Sequence, residues 1–157
     1  MAVGAKTGQP PKPDTLRIFL DANVLFSAAR APGAMRQMLT ALKNQDHVLV
    51  AEAYVRTEAR RNLVAKAGEA AIQDLESILM DLDLSGARQA ITASQAQSAN
   101  WLPEKDRPVL LAAIALRCDA LVTGDKTHFG AGYGQSFVGV TLYSPAQLAL
   151  ALLVEAN

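Results

Sequence analysis

Short apolar runs alternate with longer helical segments along this chain, and this alternation limits the fold more than any other feature. Four short runs are mainly apolar, with their apolar residues next to one another rather than at every second position: RIFLD at 17–21, HVLVA at 47–51, ALVT at 120–123 and VGVTLY at 138–143. Strands of this kind are typical of a parallel sheet that is covered on both faces. We therefore predict an α/β fold, a three-layer α/β/α sandwich on a mainly parallel, doubly wound sheet.

The segments between these runs have helical spacing. A first helix is predicted in NVLFSAAR with Asn23 as its cap, and a Pro-Gly pair separates it from a second in AMRQMLTALKN. Gly68 separates EAYVRTEARRNLVAK from EAAIQDLESILMDL, and RPVLLAAIALRC is apolar nearly all round, which predicts a buried helix. Ser144 is predicted to cap a last helix. Residues 83–100 are ambiguous: LDL could be a short edge strand, and the Ala/Gln/Ser run after it could be helix or loop.

One domain is expected for a chain of 157 residues that is half apolar. Residues 1–15 are rich in Pro, Gly and Lys and are predicted to be a flexible leader, so the domain is assigned to residues 16–157. No apolar run approaches the roughly 18 residues of a membrane span. The single cysteine, Cys118, is expected to be a small core residue and excludes an intrachain disulfide, which fits a cytoplasmic protein. The net charge of zero neither favours nor excludes a nucleic-acid partner.

Acidic residues stand close to the ends of two predicted strands. Asp21 ends the first strand, and Asp125 follows ALVT by two residues. Ligands of doubly wound folds bind beyond the carboxyl ends of the strands, so these two acids are expected to lie there together. Ordinary explanations remain open: Asp21 or Asp106 could simply cap a helix, and Asp125 could be a turn residue. Gly124 is expected to let the backbone turn sharply and aim Asp125 over the sheet.

A second acid is expected from the helix after HVLVA. On a helical wheel Glu58 falls about 60° from Val55, on the shoulder of the apolar stripe, and Glu52 falls about as far on the other shoulder. Glu52 has a simpler role, because it lies in the first turn and could pair with Arg56. Glu58 is the preferred functional acid, with Glu52 as the alternative.

Several carboxylates in one site repel one another unless a cation lies between them. Hard oxygen ligands without a Cys or His cluster favour Mg²⁺ or Mn²⁺ over zinc. The two histidines, His47 and His128, are far apart in sequence and lack metal-ligand spacing; His47 begins a strand and is predicted to be structural. A carboxylate-bound Mg²⁺ or Mn²⁺ ion is typical of sites that activate water for phosphoryl chemistry.

Four stretches, LDANVL, TEARRNL, PEKDRPVLLAAI and ALVTGDKTHFG, together resemble the PIN-domain ribonucleases, particularly the bacterial PIN proteins that are toxins of toxin–antitoxin pairs. The resemblance covers about residues 17–152. It implies an α/β/α sandwich and a metal-dependent nuclease acting on RNA, with an antitoxin protein as a candidate partner. The catalytic quartet that it implies is Asp21, Glu58, Asp106 and Asp125.

Within that quartet Asp21, Asp106 and Asp125 are expected to bind the metal, with Thr123 and Asn23 in supporting positions. Cations near the cleft could steer the RNA backbone, although each could instead be a solvated surface residue. These candidates are Arg30, Arg56, Arg60, Arg61 and Lys126. His128 belongs to the THFG form of the last motif and could contact a phosphate, but a structural role is preferred.

Two other kinds of protein share parts of this pattern. A phospho-acceptor signalling domain also uses acids at strand ends, but it needs a lysine near the last strand, which ends here in TLYSP. A non-catalytic domain acting through protein–protein contacts could use the same acids only as helix caps. The apolar C-terminal stretch AQLALALLVEA could pack on its own sheet or form a homodimer interface.

Overall fold

In a computed structural model that describes residues 15–84 and 86–153, one sheet of five strands forms the centre of the domain. The strands are β1 (Arg17–Leu20), β2 (Val48–Val50), β3 (Ala120–Val122), β4 (Ser136–Phe137) and β5 (Val140–Tyr143). Their order is β2-β1-β3-β5-β4, and all neighbours pair in parallel except β4, which is antiparallel to β5. The strand order reverses at β1, between β2 and β3. The predicted α/β fold on a mainly parallel, doubly wound sheet is confirmed.

Helices flank the sheet and follow the strands as the sequence predicts. They are α1 (Ala22–Arg30), α2 (Ala34–Asn44), α3 (Ala53–Lys66), α4 (Glu69–Leu79), α5 (Ala93–Ala96), α6 (Arg107–Ala115), α7 (Lys126–Phe129) and α8 (Pro145–Leu152). Helix α6 is buried along most of its length, as its apolar sequence predicts. Ser144 caps α8 with a capping box, in which Gln147 N donates to Ser144 Oγ and Ser144 N donates to the Gln147 side chain.

Three local predictions are wrong or incomplete. Helix α1 begins at Ala22, two residues before the start that a cap at Asn23 predicts, so Asp21 and not Asn23 occupies its cap. The strand predicted from residue 138 begins at residue 140, because Val138 and Gly139 form the turn of a hairpin with φ of 51° and 84°. The ambiguous LDL stretch contributes a single parallel bridge between Asp83 and Val50, and α5 lies in the run after it.

The core packs around the sheet and contains the apolar stripe predicted for α3. Val55 and Leu63 are buried, as are Ile18, Leu121 and Leu142 from three neighbouring strands. Burial of these apolar side chains is the main favourable contribution to folding. Among the described residues no helix is both long and apolar enough to cross a membrane. Of the leader predicted for residues 1–15, all but the last residue lies outside the described residues.

Two titratable residues predicted to be structural are part of this core. His47 is buried, and its Nδ1 accepts a 3.0 Å hydrogen bond from Leu16 N, which ties the start of β2 to the segment before β1. Burial lowers the pKa of His47, and the charge of Asp46 opposes the shift. Cys118 is buried as well, and burial raises the pKa of its thiol to about 12. Such a thiol is inert as a nucleophile at neutral pH.

Candidate metal centre

The fold brings the four predicted acids to the edge of the sheet where the parallel strands end. Asp21 follows β1 directly and Asp125 follows β3, while Asp106 directly precedes α6 and Glu58 lies in α3. The negative charges of Glu58 and Asp125 both act on Asp21. Asp106 and Asp125 each offer an oxygen in a group whose ligand atoms all lie within 4.8 Å of one another. The structure therefore places all four acids in one region.

Asp21 is held almost entirely out of solvent at the end of β1. Its Oδ1 accepts a 2.8 Å hydrogen bond from Ala22 N, and its Oδ2 accepts bonds from Thr123 Oγ1 at 2.7 Å and Asn23 Nδ2 at 3.2 Å. Burial raises the pKa of Asp21 above its ordinary value, and the charges of Glu58 and Asp125 raise it further. The hydrogen bonds from Thr123 and Ala22 lower that pKa. A nearby cation would favour the ionised form in the same way.

Thr123 and Asn23, the two predicted supporting residues, connect Asp21 to the loop that carries Asp125. The buried Thr123 Oγ1 donates to Asp21 and accepts hydrogen bonds from Asn23 Nδ2 at 3.2 Å and Asp125 N at 3.1 Å. Asn23 Oδ1 in turn accepts a 2.7 Å bond from Gly124 N. Three polar side chains and two backbone amides are thus locked into one network, which fixes both acid-bearing strand ends relative to each other.

The sequence predicts that glycine is needed at position 124 so that the backbone can turn sharply, and this reason is wrong. Its φ lies outside the left-handed region that favours glycine, so the backbone there does not depend on glycine's conformational freedom. A Cβ at this position would lie 3.2 Å from Asn23 Oδ1. Glycine is therefore useful because it leaves room for Asn23 to approach the backbone closely.

Asp125 caps a helix with its side chain, whereas Asp106, the acid that the sequence favours as a helix cap, does not. Asp125 caps α7, since its Oδ1 accepts a 3.2 Å bond from His128 N. Asp106 occupies the cap position of α6 but makes no capping hydrogen bond with its side chain, so the explanation of Asp106 as a simple helix cap is wrong. Its Oδ2 is buried and has no hydrogen-bond partner among the residues that the structure describes.

His128 lies between these two carboxylates. Its Nδ1 is 2.8 Å from Asp125 Oδ2, a hydrogen bond, and 3.3 Å from Asp106 Oδ2, where the geometry does not make one. The three side chains form the group of candidate metal ligands in the described residues. The sequence favours a structural role for His128, with a phosphate contact as the alternative, and predicts no part for it in metal binding, so its place in this group differs from the prediction. Its spacing of three residues from Asp125, one helical turn, was the signal that could have placed it there.

Tyr133 is a second neighbour of the acids that the sequence did not indicate. Its hydroxyl donates a 2.6 Å hydrogen bond to Thr123 O. Burial raises the pKa of Tyr133, and the charges of Asp125 and Asp21 raise it further. The phenol therefore stays protonated beside the acids at neutral pH. No spacing in the sequence connects this residue with the acidic motifs, so it could be found only from the fold.

Glu52 and Glu58, the two alternatives for the second acid, point to different surroundings. Glu52 forms an ion pair with Arg88, and Arg88 Nε donates to Glu52 Oε2 at 2.6 Å. The expected side-chain pair between Glu52 and Arg56 is absent from the described residues, and this prediction is wrong. Glu58 is half-buried and is the one whose charge acts on Asp21.

The cations suggested as RNA contacts lie in three different surroundings. Arg56 and Arg60 line a cavity between α3 and α4, and Arg60 Nη1 lies 2.6 Å from Glu76 Oε2. Arg61 and Lys126 are exposed. Arg61 lies about 60° from Glu58 around α3, whereas Arg60 lies about 160° away on the far side. Arg30 is exposed and lies over the Phe26 ring at 5.9 Å.

Comparison with known proteins gives two findings. A family model described as PIN domain matches residues 17–127. The fold is similar to a chain in the crystal structure of VapBC2 from Rickettsia felis bound to a DNA fragment from their promoter, with a TM-score of 0.57 and 16% sequence identity, covering 82% of this chain and 98% of that chain. At this identity the likeness concerns the fold alone. The curated proteins include no match.

Proposed function

Because the chain belongs to the PIN domain family, whose members are nucleases, we propose that it is a ribonuclease that depends on Mg²⁺ or Mn²⁺ and hydrolyses RNA phosphodiester bonds. The observation that carries the proposal is the gathering of Asp21, Glu58, Asp106 and Asp125 at the carboxyl edge of the sheet. Such a concentration of acids is unfavourable in the chain alone and favourable around a cation.

The residues fit a divalent cation. Asp106 Oδ2 is buried without a hydrogen-bond partner in the described part of the chain, and such burial costs free energy that a bound cation would offset. Carboxylate oxygens are the donors that Mg²⁺ and Mn²⁺ prefer. Asp106 and Asp125 would hold the ion, with Asp21 completing the carboxylate set. Such an ion activates water and offsets charge on a phosphodiester.

The chain's own residues would set the geometry of the reaction. Thr123 and Asn23 both donate hydrogen bonds to Asp21 Oδ2, which restricts rotation of this carboxylate. Glu58 is half-buried near Asp21 and is free to accept a proton from the attacking water or to orient it. Positioning of this kind supplies much of the rate enhancement in hydrolysis.

RNA would be held mainly by its phosphate backbone. Arg61 and Lys126 are the best candidates for these contacts, because they are exposed on the side of Glu58 and Asp125. Arg56 and Arg60 are weaker candidates, because they lie toward α4 and Arg60 is already paired with Glu76. Aromatic residues are 5% of the chain, which disfavours extensive base stacking.

The biological role that we propose is that of a cytoplasmic toxin whose activity is held in check by a cognate antitoxin protein. The resemblance of the four sequence motifs supports this role, and so does the shared fold with a chain of the VapBC2 structure. On this account, expression of the chain alone should arrest growth, and loss of an acid should relieve the arrest. A homodimer through the apolar C-terminal stretch remains part of the proposal.

Asp106→Asn gives the cleanest test, because Asp106 Oδ2 has no hydrogen bond to lose within residues 15–84 and 86–153. Cleavage of a single-stranded RNA in Mg²⁺ or Mn²⁺ should fall by about 100-fold or more, since the change removes a charged ligand worth several kcal/mol. Asp46→Asn makes the same chemical change at an exposed residue next to His47, where a φ of 69° suits asparagine, and should leave cleavage unchanged. Full activity of a folded Asp106→Asn protein would rule out the proposed site.

A further inference from the structure

The His128 ring lies close enough to Asp106 and Asp125 to contact a cation that these two acids bind. Its Nδ1 is 2.8 Å from one carboxylate oxygen and 3.3 Å from the other. Neighbouring ligands of an octahedral ion with bonds of about 2.1 Å are separated by about 3.0 Å. Both distances are close to this separation, and the ligand atoms of the three residues all lie within 4.8 Å of one another, so Nδ1 has the spacing of a neighbouring ligand to each carboxylate oxygen.

We propose that His128 Nδ1 is a ligand of the cation held by Asp106 and Asp125, and that this nitrogen makes the site prefer Mn²⁺ to Mg²⁺. The inference rests on the proposed function, because it concerns the same site. Mg²⁺ is a hard ion that is bound almost entirely through oxygen, whereas imidazole nitrogen is a good ligand for first-row transition metals. Replacing one oxygen donor by nitrogen therefore lowers the affinity of the site for Mg²⁺ relative to its affinity for Mn²⁺.

The position of the ring is fixed by its neighbours in the chain. His128 N donates to Asp125 Oδ1, and the next residue, Phe129, is fully buried against Trp101. The backbone hydrogen bond of His128 and the buried side chain of Phe129 thus hold the imidazole near the carboxylates. Ligands that are held in place before the metal arrives cost less entropy when it binds.

The proton balance of this step is simple. A His128 ring that carries hydrogen on Nδ1 donates to Asp125 Oδ2. A nitrogen ligates a metal only without its proton, so the neutral ring binds as the tautomer that carries hydrogen on Nε2. The ring's side chain is 32% exposed, which leaves solvent to exchange that proton. No oxidant or further reactant is needed.

Pulsed electron paramagnetic resonance of bound Mn²⁺, combined with calorimetric titration of Mn²⁺ and Mg²⁺, tests the inference on protein without a histidine tag. The wild type should show hyperfine coupling to a directly bound nitrogen, and His128→Gln should lose it. The Mn²⁺ affinity of His128→Gln should fall by about 10-fold or more, as is typical when a residue that binds or orients a metal is replaced. Its Mg²⁺ affinity should change by less than about 3-fold.

The chain supplies its own control for the nitrogen signal, because it contains two histidines. His47→Asn removes the other imidazole at the opposite edge of the sheet, and asparagine keeps an acceptor for Leu16 N. The nitrogen coupling should persist in this variant. If the coupling disappears with His47 instead, the inference is overturned.

Three other outcomes are decisive. Mn²⁺ binding that depends on Asp106 but shows no nitrogen coupling overturns the ligand role of His128 and leaves the proposed function standing. Tighter Mn²⁺ binding by His128→Gln shows that the ring competes with the ion, and it overturns the inference in the same way. Wild-type protein that binds neither ion overturns both this inference and the proposed function.

Discussion

Thr123 Oγ1 donates a 2.7 Å hydrogen bond to Asp21 Oδ2 and so joins the ends of β3 and β1. These strands are neighbours in the sheet but are far apart in sequence. The same hydroxyl accepts the backbone N–H of Asp125. One small buried side chain therefore sets the distance between two acids that the proposed metal centre needs, and its removal should affect both stability and metal binding.

Replacement of Thr123 by valine tests this relationship. Valine keeps the shape but removes the hydroxyl, so a buried carboxylate loses a donor, and the free energy of unfolding should fall by about 1–3 kcal/mol in urea titrations. Thr123→Ser is the matched control, because it keeps the hydroxyl and loses only a methyl group. Mn²⁺ affinity should fall in the valine variant and be retained in the serine variant. Equal metal affinity in the two variants would argue against a role for this hydrogen bond in the site.

Arg61 and Lys126 should contribute to RNA affinity through phosphate contacts. Changing either to glutamine should reduce the slope of log affinity against log salt concentration by about 0.7, the value for one contact to single-stranded nucleic acid. Binding is measured with a chelator present, so that no cleavage occurs. Arg60→Gln on the same helix is the control, because Arg60 is paired with Glu76 and faces α4. A salt slope that falls only in Arg60→Gln would place the RNA on the other face of α3.

His47 should make the protein less stable in acid. Burial lowers the pKa of His47 below its unfolded value, so the neutral ring stabilises the fold above pH ~6.5, and this contribution is lost as the pH falls through the lowered value. Protonation would also remove the acceptor of the Leu16 N–H bond. Urea unfolding at pH 8 to 5 should show a smaller pH dependence in His47→Asn than in the wild type. Parallel pH profiles would mean that His47 titrates normally in the folded protein.

The sequence predicted the sheet and the position of its acids because apolar runs and strand-end acids are local signals. It did not predict β4 or α7, which have two and four residues and are too short for periodicity to detect. Side-chain capping depends on whether the carboxylate points at the backbone N–H groups of the first helical turn, which the sequence does not show. Asp21 and Asp125 cap helices in this way, and Asp106 does not. Tyr133 joins the site through a contact that only the fold creates.

We propose that Asp106 and Asp125 share one divalent cation. Anomalous X-ray diffraction from a crystal soaked in Mn²⁺ would locate such an ion itself. We expect a manganese peak in contact with Asp106 Oδ2 and Asp125 Oδ2, and no such peak in the Asp106→Asn variant. Ordered, intact acids with no manganese between them in the wild type would rule out a shared cation.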